Sequence, residues 1–390
     1  MKTNPATDAP GLDEQRTDEH YEATLSAGVM SLQLRSQPGW NANTLFDMAQ
    51  RRNPRRAFLF VSKILGRHIP CPPHLIRRAF NDLADNIPRG LSGPILVTGM
   101  AETAVGLAAG VHSVLSQRYA DTILLTTTRH PLGSDLLCRF EEEHSHATAH
   151  LVHIPTDPVL RDKLFQARTL VMVDDEATTG KTFLNLYKAL RNAGLSQLEH
   201  VVTATLTDWS DNALAGQISL PTTAVSLASG RWQWQAAEHA PLLHAPDVNV
   251  MARGSQPLNN IADRWGRTGV EFHTRLLTTK APQKGQRILV LGSGEYVWQP
   301  YLLAQWLEDQ GADVCFSSTT RSPVAIGNAI RCAISFTDNY GLGVPMYAYN
   351  VKPDEWDRVI LCSETPASAW DPAFLAQFSH LEINEAPHDC

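Results

Sequence analysis

The strongest indication of the fold is the stretch Leu170-Val-Met-Val-Asp174-Asp175-Glu176-Ala177-Thr178-Thr179-Gly180-Lys181-Thr182. Its apolar start predicts a buried strand, the acids and small residues predict a loop, and a helix follows from about Thr182 to Asn192. Similar short apolar runs lie on both sides, at 94–98, 122–127, 151–154 and 201–206. Helical segments such as 105–118 separate them, and strands that alternate with helices predict an α/β fold with a mostly parallel sheet.

The loop has the groups that a ribose 5-phosphate requires. Asp174 and Asp175 can accept hydrogen bonds from two vicinal hydroxyls, and backbone N–H groups at a helix N-terminus suit a dianionic phosphate. The predicted phosphate-binding residues are Ala177, Thr178, Thr179, Gly180, Lys181 and Thr182. A P-loop is the first alternative, but it requires a glycine where Asp175 stands. A surface turn that caps the helix is the second.

Composition narrows the class of protein. The chain has 390 residues, of which 43% are hydrophobic and 19% charged, with a net charge of -7, so we expect no nucleic-acid partner. No apolar stretch approaches the length of a membrane span, and the polar N-terminus is unlike a secretory signal. The six cysteines form no CxxC pair. A cytoplasmic enzyme or binding protein is therefore expected, without a membrane partner.

Two acids, two variable residues and Thr-Thr-Gly-x-Thr resemble the 5-phosphoribosyl 1-pyrophosphate (PRPP) loop of type I phosphoribosyltransferases. Glu176, where an apolar residue is usual, and Lys181, where a small one is common, depart from the pattern. The resemblance implies a parallel core sheet with a hood made of N-terminal residues and of residues after strand 201–206. It also implies PRPP and an unidentified base-like molecule as substrates. Mg²⁺ is the implied cofactor, held mainly through PRPP, with Asp174 and Asp175 as further candidate ligands.

The resemblance also implies other site residues. The predicted catalytic residues are Asp174, Asp175 and Arg129, where Arg129 would grip pyrophosphate by a bidentate fork. The predicted pyrophosphate loop is Gly99, Met100, Ala101, Glu102 and Thr103, in which Glu102 is a departure because a basic residue is common there. Residues 130–150 correspond to a mobile loop, whose His144 and His146 are candidates for pyrophosphate contact or proton transfer. A metal site at these histidines and a plain solvated loop remain alternatives.

The C-terminal region repeats the spacing of the first. Gly99-x-x-Glu102 followed by Arg129 is echoed by Gly292-x-x-Glu295 followed by Arg321. The acid pair is echoed by Cys362 and Ser363, so the second copy is not expected to bind PRPP. A duplicated unit and a chance similarity of turns are both consistent with this pattern.

The string Thr320-Arg321-Ser322-Pro323 is the signature of the TRSP domain, and Gly341 to Tyr347 and Cys362 to Thr365 continue the family pattern. The chain resembles proteins that join an orotate-phosphoribosyltransferase-like domain to a TRSP domain, which are encoded in bacterial tellurite-resistance and stress-response clusters. Arg321 and Thr320 suit an anion site in this second domain. The alternative is an internal ion pair of Arg321, for instance with Glu295 or Glu364.

The expected domains are a disordered tail at 1–25, a phosphoribosyltransferase domain with hood at 26–250, a linker or insertion at 251–285 and a TRSP α/β domain at 286–390. The expected function is PRPP-dependent formation of an N-glycosidic bond with release of pyrophosphate, in the synthesis of a nucleoside-like metabolite. A non-catalytic PRPP- or nucleotide-sensing regulator is the alternative. An adaptor role for the C-terminal domain is a more distant one, and a homodimer is compatible with each.

Overall fold

The computed structural model describes residues 16–51, 56–142, 149–239, 254–258 and 266–386. They form two α/β units. The first unit contains β1 (Thr17–Leu25), β2 (Gly28–Ser36), α1 (Ala42–Leu45), β3 (Phe46–Gln50), β4 (Phe58–Ser62), α2 (Pro73–Asp85), β5 (Ile95–Gly99), α3 (Val105–Leu115), β6 (Thr122–Leu124), β7 (Leu136–Glu141), β8 (Ala149–His153), α4 (Pro158–Phe165), β9 (Thr169–Ala177), α5 (Lys181–Asn192), β10 (His200–Asp208) and β11 (Thr222–Ala236). The second unit contains β12 (Arg287–Gly292), α6 (Trp298–Asp309), β13 (Asp313–Ser318), β14 (Ala333–Thr337), β15 (Pro345–Tyr349), β16 (Arg358–Ser363), α7 (Pro372–Leu375) and β17 (Leu381–Glu385).

The first unit is built on a seven-stranded sheet in the order β1-β2-β11-β10-β9-β5-β6. The strands from β11 to β6 pair in parallel, whereas β1 and β2 add to the β11 edge as antiparallel strands. The five residues of β5 and the first five of β9 are all buried, as central parallel strands covered on both faces require. The predicted α/β fold with a mostly parallel sheet is confirmed.

The second unit repeats the centre of the first sheet. Its strands β13-β12-β16-β17 are all parallel, and their order matches β6-β5-β9-β10 strand for strand. The antiparallel pair β14-β15 corresponds in the same way to β7-β8. Thr128 bridges Leu151 in the first unit, and Thr320 bridges Tyr347 in the second. The predicted repeat therefore extends to topology and to single bridges.

The register of the two sheets changes one predicted correspondence. Gly99 lies opposite Val173, the residue before the acid pair, whereas its counterpart Gly292 lies opposite Cys362. The acid pair therefore corresponds to 363–364, one residue later than the predicted Cys362 and Ser363. The second unit keeps one acid at this place instead of none.

The two units share a hydrophobic core. Helix α3 is apolar on nearly all its sides, which suits a helix buried between layers. Phe80 of α2 packs on Trp298 and Tyr301 of α6, with ring centroids 6.0 and 5.3 Å apart. A Cβ at Gly110 would lie 2.2 Å from the Phe80 ring, so this position requires glycine. These contacts between helices pack the second unit directly against the first.

A small antiparallel pair, β3-β4, forms the hood. Phe60 of β4 stacks on Trp209 with centroids 5.1 Å apart, and Phe46 packs edge-on against the same indole. Trp209 follows β10, so the hood does combine N-terminal residues with residues after that strand. The prediction of a disordered tail at 1–25 is wrong for Thr17–Leu25, which is strand β1; residues 1–15 lie outside the described ranges.

Two further segments differ from expectation. The segment predicted as a polar mobile loop at 130–150 contains strand β7 and the first two residues of its hairpin partner β8, although residues 143–148 are outside the described residues. Part of the predicted linker is not exposed, because Val270 pairs with Leu124 of the first sheet and Arg267 is only 2% exposed, whereas most described residues from 271 to 285 are exposed or half-buried. None of the described helices combines the length and apolarity that a membrane crossing requires.

Candidate active site

One cavity of about 160 Å³ lies at the carboxyl ends of β5 and β9, between the hood and the second unit. This is the edge at which open α/β sheets bind ligands. Its acidic lining residues are Glu102, Glu142, Asp174, Asp175 and Glu176. Its basic lining residues are Arg51, Arg56, Arg67, Arg129, Lys181 and Arg321. Nearly equal numbers of acids and cations suit a ligand that carries phosphates together with hydroxyls or a metal ion.

The predicted PRPP loop lines this cavity over its whole length. Strand β9 continues past the acid pair to Ala177, whose carbonyl accepts a hydrogen bond from the backbone N–H of Trp209 at 2.7 Å. Residues 178–182 then turn into α5, which begins at Lys181. Gly180 has φ +71°, a left-handed conformation that favours glycine. The turn presents the N-terminus of a 12-residue helix to the cavity, where an anion is stabilised.

The acid pair has little compensating charge of its own. Burial raises the pKa of Asp174 well above its usual value, and Asp175 and Glu142 add to the rise. Burial and Glu176 raise the pKa of Asp175 to about 6. Within the described ranges no Lys or Arg forms an ion pair with either carboxylate, whereas Glu176 pairs with Arg56 at 2.7 Å. The two carboxylates therefore retain acceptors for ligand hydroxyls or a cation.

Arg129 does not have the predicted geometry. Its side chain is 4% exposed, and its guanidinium donates to the carbonyls of Ala149 at 2.8 Å and Ala101 at 3.1 Å and to Glu142 at 3.0 Å. The prediction that its fork is available for pyrophosphate is wrong for this conformation. Arg129 instead fixes the backbone of the predicted pyrophosphate loop relative to β8.

Glu142 is the carboxylate that accepts a hydrogen bond from Arg129. Burial alone would raise its pKa, but the hydrogen bond from His150 and the charge of Arg129 outweigh burial and lower the pKa to about 2. His150 also lies 2.9 Å from the hydroxyl of Thr127, which accepts a hydrogen bond from the backbone N–H of Ala101 at 2.8 Å. Buried polar contacts from Glu142 to Ala101 thus fix the position of the predicted pyrophosphate loop.

The predicted pyrophosphate loop follows β5. A Cβ at Gly99 would lie 2.4 Å from the side chain of Ala108, so close packing on α3 requires glycine there. The next four residues, Met100, Ala101, Glu102 and Thr103, line the cavity. Glu102 forms an ion pair with Arg321 of the second unit. Burial would raise the pKa of Glu102, but Arg321 and Arg67 lower it.

The second-domain residues Thr320 and Arg321 were predicted to form an anion site of their own. The structure places both on the wall of the same cavity as the acid pair. Arg321 does form an internal ion pair, as the alternative expected, but its partner is Glu102 and neither of the two example partners, Glu295 and Glu364. The residues of the two predicted sites therefore line one cavity.

Two residues of the cavity lining that the sequence did not predict are Arg67 and His68, which lie between β4 and α2. Arg67 donates to the carbonyls of Glu102 at 2.5 Å, Gly294 at 2.6 Å and Thr319 at 2.8 Å, and so joins the two units beside the cavity. Burial and the charge of Arg67 lower the pKa of His68 to about 3, so this imidazole is neutral. No motif marks the two residues; they follow Gly66, whose φ of +69° is the only local signal.

Two predicted groups remain to be placed. His144 and His146 lie outside the described residues. Within the described ranges, no three His, Cys, Asp or Glu side chains converge into a group that could hold a metal ion without a ligand's help.

Comparisons with known proteins agree with this architecture. A phosphoribosyl transferase family model matches residues 45–231, and a model of the TRSP domain that is C-terminal to it matches residues 263–378. No curated protein matches the sequence.

Two similar solved structures are adenine phosphoribosyltransferases. The one from Rhodothermus marinus has 15% identity and a TM-score of 0.31, over 47% of this chain and 94% of that chain. The one from Thermoanaerobacter pseudethanolicus has 15% identity and a TM-score of 0.26, over 39% of this chain and 80% of that chain. At these identities and TM-scores neither structure assigns a substrate to this chain.

The first match lies within the first unit, the second includes most of the second unit, and the cavity lies where the units meet. The chain therefore belongs to the proteins in which a phosphoribosyl transferase domain is followed by a C-terminal TRSP domain.

Proposed function

We propose that the protein transfers the phosphoribosyl group of PRPP to a nitrogen atom of a base-like small molecule and releases pyrophosphate. The observation that carries this proposal is the acid pair Asp174-Asp175 and the loop 177–182, which line one cavity at the carboxyl end of a parallel sheet. The expectation of a cytoplasmic enzyme that acts in the synthesis of a nucleoside-like metabolite is part of the same proposal.

Each end of the cavity has a role in this reaction. The N–H groups and hydroxyls of residues 177–182 bind the 5′-phosphate, so binding energy remote from the reaction orients C1 of the ribose. Asp174 and Asp175 accept hydrogen bonds from the ribose hydroxyls. As the bond from C1 to the pyrophosphate oxygen breaks, positive charge develops on the ribose, and the nearby carboxylates stabilise it.

The acid pair also fits the implied Mg²⁺. Hard divalent cations prefer carboxylate and phosphate oxygens, and Asp174 and Asp175 are carboxylates with raised pKa values and no ion-pair partner among the described residues. They would hold the metal together with PRPP oxygens. When bound, Mg²⁺ would supply charge neutralisation for the departing pyrophosphate.

One observation favours the alternative of a PRPP- or nucleotide-sensing protein. The fork of Arg129 is engaged with the protein itself, so the residue predicted to grip pyrophosphate is not available in this conformation. A sensor would bind PRPP without cleaving it. Release of pyrophosphate therefore separates the two functions.

The test is a pyrophosphate-release assay with PRPP, Mg²⁺ and a panel of purines, pyrimidines and other nitrogen heterocycles. The proposal predicts base-dependent release by the wild type and loss of release in the double variant Asp174→Asn, Asp175→Asn. Saturable PRPP binding without release for any member of the panel would favour the sensor.

A further inference from the structure

The two units contact each other reciprocally. Glu295 of the second unit accepts from the Thr128 hydroxyl at 2.5 Å and from the backbone N–H of Arg129 at 2.7 Å. Glu102 of the first unit lies 3.5 Å from the Thr320 hydroxyl and pairs with Arg321. Each unit thus offers its glutamate to the Thr-Arg pair of the other. Two copies related by a two-fold axis contact in this way, although here both belong to one chain.

The side chains of the two counterpart arginines, Arg129 and Arg321, do not follow this reciprocal pattern. Arg129 turns its guanidinium back to its own unit, onto the carbonyls of Ala101 and Ala149. Arg321 extends its guanidinium into the other unit, where it meets Glu102 on the wall of the cavity. The first unit therefore receives the guanidinium of Arg321, whereas the guanidinium of its counterpart Arg129 stays within the first unit.

The corresponding site of the second unit is filled. Arg267 donates to Glu295 at 3.0 Å and to Glu364 at 2.6 Å, and these three residues, which we call the Arg267 triad, are all at most 2% exposed. Glu364 stands at the register position of Asp175, and Glu295 is the counterpart of Glu102. A guanidinium thus lies between the counterparts of two groups that line the cavity of the first unit. The cavity of the first unit is the one left for a ligand.

Arg321 lines that cavity and has an unused donor buried beside it. The residue is 5% exposed, its Nε pairs with Glu102, and its Nη1 is buried without a hydrogen-bond partner. A buried guanidinium N–H without a partner is costly and rare in native structures. A phosphate group in the cavity would supply the missing acceptor and could take both N–H groups of the fork.

We propose that Arg321, which the second unit contributes to the cavity of the first, binds the pyrophosphate group of PRPP. This deepens the proposed function and rests on it. The pyrophosphate occupies the side of the cavity opposite the 5′-phosphate loop and competes with Glu102 for the guanidinium. The TRSP unit is in this sense a built-in partner subunit that completes one site and has lost its own.

The test measures, by calorimetry with Mg²⁺, the binding of two probes to the full chain: inorganic pyrophosphate and ribose 5-phosphate, which lacks the pyrophosphate. Arg321→Ala should weaken pyrophosphate binding about 10- to 100-fold, as expected for the loss of a charge-assisted contact, and change ribose 5-phosphate binding by less than about threefold. If the alanine variant does not fold, Arg321→Gln takes its place, because glutamine keeps hydrogen-bond donors for Glu102. Arg321→Gln should weaken pyrophosphate binding to a similar degree. Arg287→Ala, which removes an exposed arginine of the same unit, is the matched control.

Glu102→Gln separates binding from structure. If Arg321 served only to pair with Glu102, losing either partner would have the same effect on pyrophosphate binding. The proposal predicts instead that Glu102→Gln binds pyrophosphate at least as tightly as the wild type, because the competing carboxylate is gone. Equal weakening of both probes by the Arg321 variants, or unchanged pyrophosphate binding, would overturn the assignment. If the wild type binds neither probe, the proposed function fails first.

Discussion

Removing the arginine of the Arg267 triad should strongly destabilise the protein. In Arg267→Met the carboxylates of Glu295 and Glu364 would remain buried without their cation, and breaking a buried pair by deleting one partner costs about 3–5 kcal/mol. The pKa of Glu295 gives a second estimate. Burial would raise that pKa, but Arg267 and then His130 outweigh burial and lower it from 4.5 to about 2, which corresponds to about 3 kcal/mol of stability.

The loss of stability in Arg267→Met should be larger near neutral pH than at acidic pH. Because the pKa of Glu295 is lower in the folded state, its contribution is fully present above pH 4.5 and is lost as the pH falls toward 2. The difference in free energy of unfolding between wild type and Arg267→Met, measured by urea denaturation, should therefore be largest near neutrality and narrow below pH 4.5. The exposed pair of Arg287 and Asp357 supplies the control, Arg287→Met, for which we expect a much smaller loss. Equal losses in the two variants, or a difference that does not change with pH, would refute the reasoning.

Three further predictions concern the cavity. The pKa of Asp175 is raised to about 6 in the folded protein, so ionised Asp175 lowers the free energy of unfolding at pH values above its unfolded-state pKa. Asp175→Asn should therefore raise Tm at pH 7.5 in a thermal scan while weakening PRPP binding, and a lower Tm would contradict this. Arg129→Ala should reduce pyrophosphate release at least tenfold and lower the free energy of unfolding by about 1–3 kcal/mol, because buried carbonyls lose their donor; unchanged stability would count against its positioning role. Gly180→Ala should lower the free energy of unfolding by about 1–2 kcal/mol in the same assay, because alanine is strained at the φ of +71° found there. It should also weaken ribose 5-phosphate binding, and Gly216→Ala, at a position without a positive φ, is the control.

The parts of the site that the sequence predicted are those fixed by local chemistry. An apolar strand that ends in Asp174 and Asp175, followed by small residues and a helix start, has few structural outcomes, and the loop lies where that pattern indicates. The repeat could also be predicted, because Glu and Arg recur at nearly the same spacing after equivalent strands. These signals depend on residues that are close along the chain.

The relation between the units could not be predicted in this way. The spacing around Arg321 indicates an anion-binding strand end but contains no information on which way the second unit faces, so the shared cavity was missed. Arg267 lies in a polar stretch without periodicity, yet it is buried because Glu295 and Glu364 require a cation there. The mostly polar residues of strand β1 predict a tail, but an edge strand with one exposed face permits the same residues.

The most direct test of the account is calorimetric titration of PRPP, with Mg²⁺ present, into the wild type and into the double variant Asp174→Asn, Asp175→Asn. The account predicts saturable binding with one PRPP per chain, because the Arg267 triad fills the second unit's site, and loss of this binding in a double variant that circular dichroism shows to be folded. Equal PRPP affinity in the two proteins would contradict the central claim that these carboxylates form the PRPP site.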